Sequence, residues 1–125
     1  MTLLGIDYGR SKIGIAIAYG PLAEPYGVIT LSELKKLKEL VESEKVEKII
    51  VGVSEGKMGE ESKAFGLKLE KDLNIKVEFQ DESLSSIDAQ RLSIEAGIRQ
   101  SKRRNLEDAY AATVMLQNYI DSNTS

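Results

Sequence analysis

Histidine, cysteine and tryptophan are absent from this 125-residue chain, and proline occurs only twice. Without histidine, the commonest general base near neutral pH and every Ser-His or Cys-His nucleophile pairing are missing. Without histidine and cysteine, the zinc ligands that remain are carboxylates, so a structural zinc site is excluded. The lack of cysteine also fits a reducing compartment. No run of about 18 apolar residues and no cationic leader is present, so the expectation is a soluble, cytoplasmic protein with no membrane partner. Any catalysis must then come from carboxylates, lysines or tyrosines.

What is present suits one compact domain. The 13.8 kDa chain has 42% hydrophobic and 30% charged residues, ordinary globular values and enough length for one core but not two. Residues 1–121 are expected to form a single domain, with residues 122–125 a disordered tail. The net charge of −3 argues weakly against nucleic acid as a partner, but its distribution matters more. Between positions 91 and 104 stand five cations (Arg91, Arg99, Lys102, Arg103, Arg104) and one anion, Glu95. Such a cluster can track a phosphate backbone, or it can be a solvated loop.

Asp7 is the most informative residue. It lies in the strand-like run Leu3-Leu4-Gly5-Ile6-Asp7-Tyr8-Gly9, and after Arg10 to Lys12 a second apolar run, Ile13 to Ala18, follows. The pair reads as a β-hairpin carrying Asp7 near the C-terminal end of its first strand. A buried, unpaired carboxylate there would cost several kcal/mol, so a backbone amide, a basic side chain or a metal ion is expected beside it. The plainer reading is an Asp that closes a turn with Gly9.

Downstream the pattern alternates between periods of two and of three to four. Tyr26-Gly27-Val28-Ile29 reads as an edge strand behind Pro21 and Pro25. Thr30 and Glu33 have capping-box spacing ahead of an amphipathic helix ending near Ser43. The β-branched run Lys48 to Val53 predicts a strand covered on both faces in mid-sheet. After a flexible connection over Gly56 to Gly59, a helix is expected from Glu61 to Leu73 with Asn74 as its C-cap. Ile75 to Gln80 alternates as a half-buried strand and ends in Asp81 and Glu82. A helix from Ser85 to about Ala96, a basic loop, and a last helix capped by Asn105 complete the chain. The expected fold class is α/β, with helices flanking a five-stranded mixed sheet.

In open α/β sheets ligands sit beyond the carboxyl ends of the strands, which is where Asp7 and the Asp81-Glu82 pair fall. Asp108, in an alanine-rich helix that must pack closely on the sheet, can join them. Alternatively, Asp108 is an acidic first-turn residue favoured by the helix dipole, and Asp81 and Glu82 simply end a strand in water. Three converging carboxylates would make an oxygen cage for magnesium or manganese, and two such ions can activate water for phosphodiester hydrolysis.

These blocks carry a resemblance. Gly5-Ile6-Asp7-Tyr8-Gly9 with Lys12 to Ala16, Ile50 to Val53, Asp81 to Ser86 with Ala89, and Glu107 to Ala112 with Leu116, Gln117 and Tyr119 stand in the order and spacing of the YqgF/RuvX family. That family comprises Holliday-junction-resolvase-like nucleases of the ribonuclease H superfamily, associated with 5′-end processing of pre-16S ribosomal RNA. The resemblance spans nearly the whole chain and implies a ribonuclease H-like fold. It further implies that Asp7, Glu82 and Asp108 are the catalytic carboxylates holding Mg2+ or Mn2+, with Asp81 in support. Structured RNA or branched DNA is the implied partner, met by Arg10 and Lys12 and by Arg99, Lys102, Arg103 and Arg104, the chain acting as a monomer or weak homodimer. Ser11, Ser54 and Ser83 depart from the family pattern, which usually has a basic residue, a proline and an arginine there; Arg10 and Lys12 can compensate for the lost charge. Two other classes fit parts of the pattern. One is a nucleic-acid-binding module that keeps the fold without turnover. The other is a sugar-kinase or actin-like ATPase, whose first hairpin also carries Asp-x-Gly but which needs two such domains.

Overall fold

The computed structural model describes residues 1–54, 56–81 and 100–123, with residues 100–107 described by their backbone alone. Five strands, β1 (Leu3–Tyr8), β2 (Lys12–Ala18), β3 (Ala23–Thr30), β4 (Lys48–Val53) and β5 (Lys76–Asp81), form one sheet in the order β3-β2-β1-β4-β5. The first three strands pair antiparallel as a meander, while β4 and β5 join β1 in parallel. The five-stranded mixed sheet expected from the sequence is therefore present. Pro25 is tolerated because β3 is an edge strand, and the β2–β3 register shifts between Ile15 and Ala16, next to Pro25's partner.

Among the described residues three α-helices pack on the sheet: α1 (Leu34–Ser43), α2 (Lys57–Leu73) and α3 (Gln100–Asn123). A 3₁₀ turn, Leu31–Glu33, precedes α1, and the Thr30 backbone N–H donates to the Glu33 carboxylate at 2.9 Å, as the capping-box spacing requires. Asn74 closes α2 in the left-handed conformation, φ 51° and ψ 49°, as a C-cap does.

The two faces of the sheet hold different cores. Leu4, Ile6, Ile13, Ile15, Ile17, Ile49 and Val51 pack with Leu37 and Leu40 of α1 and Leu69 of α2. On the other face Leu3, Ala16, Ala18 and Ile50 pack with Ala112, Met115, Leu116, Tyr119 and Ile120 of α3. β4, with Ile49, Ile50 and Val51 fully buried, is covered on both faces as its unbroken apolar run implies.

Three expectations change. Gly56 to Gly59 is not a flexible connection, because α2 begins at Lys57 and buries Gly59. A side chain at Gly59 would meet the Ser54 carbonyl oxygen at 1.9 Å, so the helix crosses the end of β4 only because no side chain stands there. Lys102, Arg103 and Arg104 are not in a loop, and Asn105 is not a cap, since α3 already starts at Gln100. Lysine and arginine are good helix formers, and continued helix outweighs the capping preference of a single Asn. At its other end α3 runs through Asn123, past the expected start of the tail at Ser122. The helix expected from Ser85 to about Ala96 lies outside the described residues. No described helix is long and apolar enough to cross a membrane.

Candidate active site

Cross-strand partners share a face of the sheet, so the pairing Leu3↔Ala18, Gly5↔Ala16 and Asp7↔Gly14 puts Leu3, Gly5 and Asp7 in one row facing α3. The intervening Leu4 and Ile6 enter the opposite core. Asp7 is half-buried at the C-terminal end of β1, one residue beyond the fully buried Ile6.

α3 reaches the same place through glycines. Its row Asp108, Ala112, Leu116 repeats every fourth residue and so forms one stripe along the helix. That stripe lies on the sheet. A side chain at Gly5 would stand 2.9 Å from Leu116 Cβ and 3.2 Å from the Ala112 carbonyl oxygen. At Gly14, the cross-strand partner of Asp7, it would collide with the Asp108 carbonyl oxygen at 1.9 Å. The Asp108 backbone therefore rests on the residue beside Asp7, which places these two residues at one end of one helix–sheet interface. The buried Thr113 is held within the helix, its hydroxyl donating to the Ala109 carbonyl at 2.7 Å.

The start of α3 removes the helix-dipole reading of Asp108. The helix dipole acts over the first turn, and Asp108 is eight residues beyond Gln100, more than two turns inside. Its place is set by packing on the sheet, not by the helix terminus. Asp81, the last residue of β5, pairs with Val53 in the row that faces α2, opposite to the row of Asp7. Glu82 and Arg99 lie outside the described residues. Lys102, Arg103 and Arg104 occupy the first two turns of α3, on the helix that carries Asp108.

The two cations of the β1–β2 connection part company. Lys12 is exposed in the row of Gly14, on the Asp7 face. Arg10 is engaged by α2: its guanidinium makes a two-pronged contact with Glu61, Nη2 to Oε2 at 2.8 Å and Nε to Oε1 at 3.2 Å. The hydrogen bond and charge of Glu61 raise the Arg10 pKa, and Arg10 in turn lowers that of Glu61. Glu61 as this partner was invisible to local pattern, being 51 residues away. The glycines were more accessible, because Gly5 and Gly14 interrupt buried strands, and an interior strand glycine often marks a close approach.

Among the described residues no group of three or more carboxylates is placed to hold a metal ion. Asp7 and Asp108 supply hard oxygen donors at a half-buried sheet end, the donor chemistry that Mg2+ and Mn2+ take, and so these residues fit the group.

Known proteins share this fold. T. thermophilus RuvC in complex with Holliday junction substrate superposes with a TM-score of 0.65 at 15% identity, covering all of this chain and 98% of that one. Fowlpox virus resolvase in complex with substrate Holliday junction DNA gives 0.65 at 15% identity, covering all of both chains. These likenesses define the class by fold, a ribonuclease H-like domain. The family profile of RuvX, described as Holliday junction resolvase, matches residues 1–122. A relative from Streptococcus pneumoniae (strain Hungary19A-6), bearing the name "Putative pre-16S rRNA nuclease", is 36% identical over 97% of this chain and 98% of its own length. The chain belongs to the RuvX family.

Proposed function

We propose that this chain is a divalent-metal-dependent endonuclease that hydrolyses phosphodiester bonds in structured nucleic acid, with Asp7, Glu82 and Asp108 as its metal-holding carboxylates. The observation that carries the reading is the seating of the Asp108 backbone on Gly14, beside Asp7. Family membership and the pre-16S rRNA nuclease relative support nuclease activity over the silent module of the same fold.

Mg2+ or Mn2+ bound there, as a pair, would supply an activated water and offset the charge developing on the phosphate. The protein's own residues do the rest. Asp7 is fixed by the sheet and Asp108 by α3, so the gap between them is set by backbone packing and not by side-chain freedom. The closed helix–sheet interface beneath them, with Ala109 and Ala112 fully buried, excludes water from one side of the site. Lys12 stands on the same face to meet a phosphate, and Lys102 to Arg104 bring further cations on α3. With no histidine in the chain, proton transfer is left to carboxylates, lysines, tyrosines and solvent.

Pre-16S ribosomal RNA is the substrate favoured by the named relative, and branched DNA the alternative favoured by the family description. A carboxylate site recognises phosphodiester geometry and leaves base identity to other surfaces. Such a protein would work in the cytoplasm as a monomer or weak homodimer. The test is cleavage of an end-labelled RNA spanning the 5′ end of 16S rRNA, and of a four-way DNA junction, by wild type and Asp7→Asn, with Mn2+, Mg2+ or chelator. Metal-dependent cuts by the wild type alone are expected. Binding to either substrate without any cleavage would overturn the enzyme reading in favour of the silent module.

A further inference from the structure

Asp7 and Gly14, on which the Asp108 backbone rests, stand on one side of the sheet end. Tyr8, the next residue after Asp7, turns to the other side, where its ring lies against Phe65 of α2 with centroids 4.8 Å apart and planes inclined at 38°. The two rings, with Leu31, Leu34, Ala64, Glu61 and Lys68, line an open cavity of about 440 Å³. That volume lies within the range of roughly 300–1,000 Å³ typical of ligand clefts. Tyr8, Leu31, Leu34 and Phe65 are only half-buried, so the aromatic and aliphatic surface is reachable from solvent.

The surroundings favour an anionic polymer. A neighbouring groove, lined by Arg10, Lys57 and Glu60, shares Glu61 and Ala64 with this cavity. With Arg10 and Glu61 paired to each other, Lys57 and Lys68 border the two recesses against Glu60, a net of one positive charge. In a chain with net charge −3, this is a local reversal of sign. A π-face reachable from solvent, an apolar floor and a cationic rim are the parts from which proteins build platforms for unpaired bases.

We propose that the Tyr8–Phe65 cavity binds an unpaired nucleobase of the strand that enters the carboxylate site, with Lys68 meeting the adjoining phosphate. The inference rests on the nuclease reading, because it is the adjacency of Tyr8 to Asp7 that brings the strand here. Asp7 and Tyr8 are consecutive residues of β1, so a strand whose phosphate lies at Asp7 reaches the cavity by passing over the sheet end. The device selects for single-stranded flanks and against continuous duplex, without demanding a particular base.

Fluorescence anisotropy in chelator, where cleavage is silent, tests this with a labelled hairpin RNA bearing a five-nucleotide adenosine overhang. The comparison is the same hairpin with an abasic overhang, which keeps every phosphate and removes the bases. Wild type should bind the base-bearing overhang roughly tenfold more tightly, in line with stacking of about one base. Phe65→Leu, which keeps an apolar side chain, should reduce that ratio to near one. Lys68→Gln should weaken both probes equally. Equal affinity of wild type for the two overhangs would overturn the base site and leave the nuclease reading standing. No binding to either hairpin, nor to a four-way DNA junction run beside them, both in chelator and with Ca2+ in its place, would overturn both. The decisive ratio is measured on the unaltered protein, so it does not depend on how well any variant folds.

Discussion

The two faces of this sheet are built from the same strands to opposite ends. Facing α1 and α2, the strands present Leu4, Ile6, Ile13, Ile15 and Ile17, large side chains that hold helices at ordinary distance. Facing α3, the alternate positions hold Gly5, Gly14, Ala16 and Ala18, and the helix answers with Ala109 and Ala112. The first face stabilises by apolar burial, roughly 1.5–3 kcal/mol for each large side chain removed from water. The second gives up some of that burial for proximity, bringing the backbone of α3 onto the strand that flanks Asp7. Stability and the placing of chemistry are thus divided between alternate residues of one strand.

Adjacent residues of β1 offer the sharpest break. Ile6 is fully buried in the α1/α2 core, whereas Asp7 is half-buried in the α3 row. Asp7→Asn should lower cleavage by roughly a thousandfold, about 4 kcal/mol of barrier, while the melting temperature holds or rises because like charge is removed from the site. Ile6→Ala should do the reverse, costing about 3 kcal/mol in urea unfolding with turnover of the folded fraction largely kept. A large fall in melting temperature for Asp7→Asn would make Asp7 structural and erase the distinction.

Gly14 tests whether close approach is what the α3 face provides. Alanine there places a Cβ 1.9 Å from the Asp108 carbonyl oxygen, a backbone atom that cannot turn aside. We expect Gly14→Ala to cost about 2–3 kcal/mol and to lower cleavage in the protein that remains folded, because α3 must move away from Asp7. Gly27→Ala in β3, where nothing lies within 4 Å, is the control and should be near neutral in both measurements. Equal effects at the two positions would mean that strand propensity and not helix approach is being read.

How much of this was legible beforehand follows the range of each interaction. The β1–β2 hairpin, the capping box of Thr30 and Glu33, the covered strand β4 and the Asn74 cap are set by residues a few positions apart, and all four are in the structure. Asp7 was legible as a carboxylate at a strand end because its flanks are so apolar. The start of α3 was not, since Asn105 offered a local cap that the longer helix ignores. The Arg10–Glu61 pair and the use of Gly59 were beyond reach for another reason. Each depends on which element crosses which, over separations that local periodicity does not sense.

Metal linkage is an intermediate case. Carboxylates of like sign held together by packing should be relieved by a divalent cation, so Mn2+ at a hundred times its Kd should stabilise the wild type by about 2.7 kcal/mol. Asp7→Asn should lose most of that response, and Ile6→Ala should keep it. A thermal melt series against Mn2+ concentration separates the two residues again, now without any substrate. An undiminished response in Asp7→Asn would put the binding site elsewhere.

The smallest effect expected lies at the far end of the same α3 face, where charge is used without chemistry. The Tyr119 hydroxyl donates to Glu78, Lys48 Nζ donates to Tyr119 Oη at 3.1 Å, and Lys48 and Glu78 pair at 3.0 Å. The Tyr119 hydrogen bond, and then Lys48, lower the Glu78 pKa. A carboxyl depressed in this way adds stability that is present above its unfolded value, near 4.3, and is lost as pH falls through the lower folded value. With the Glu78 side chain 33% exposed, solvent screening holds the contribution to under about 1 kcal/mol. Glu78→Gln should therefore melt slightly below wild type at pH 7, and the two curves should converge toward pH 3. A gap that persists in acid would show that Glu78 matters through packing alone. The convergence would show that this end of the interface neutralises its carboxylate within the protein, through Tyr119 and Lys48.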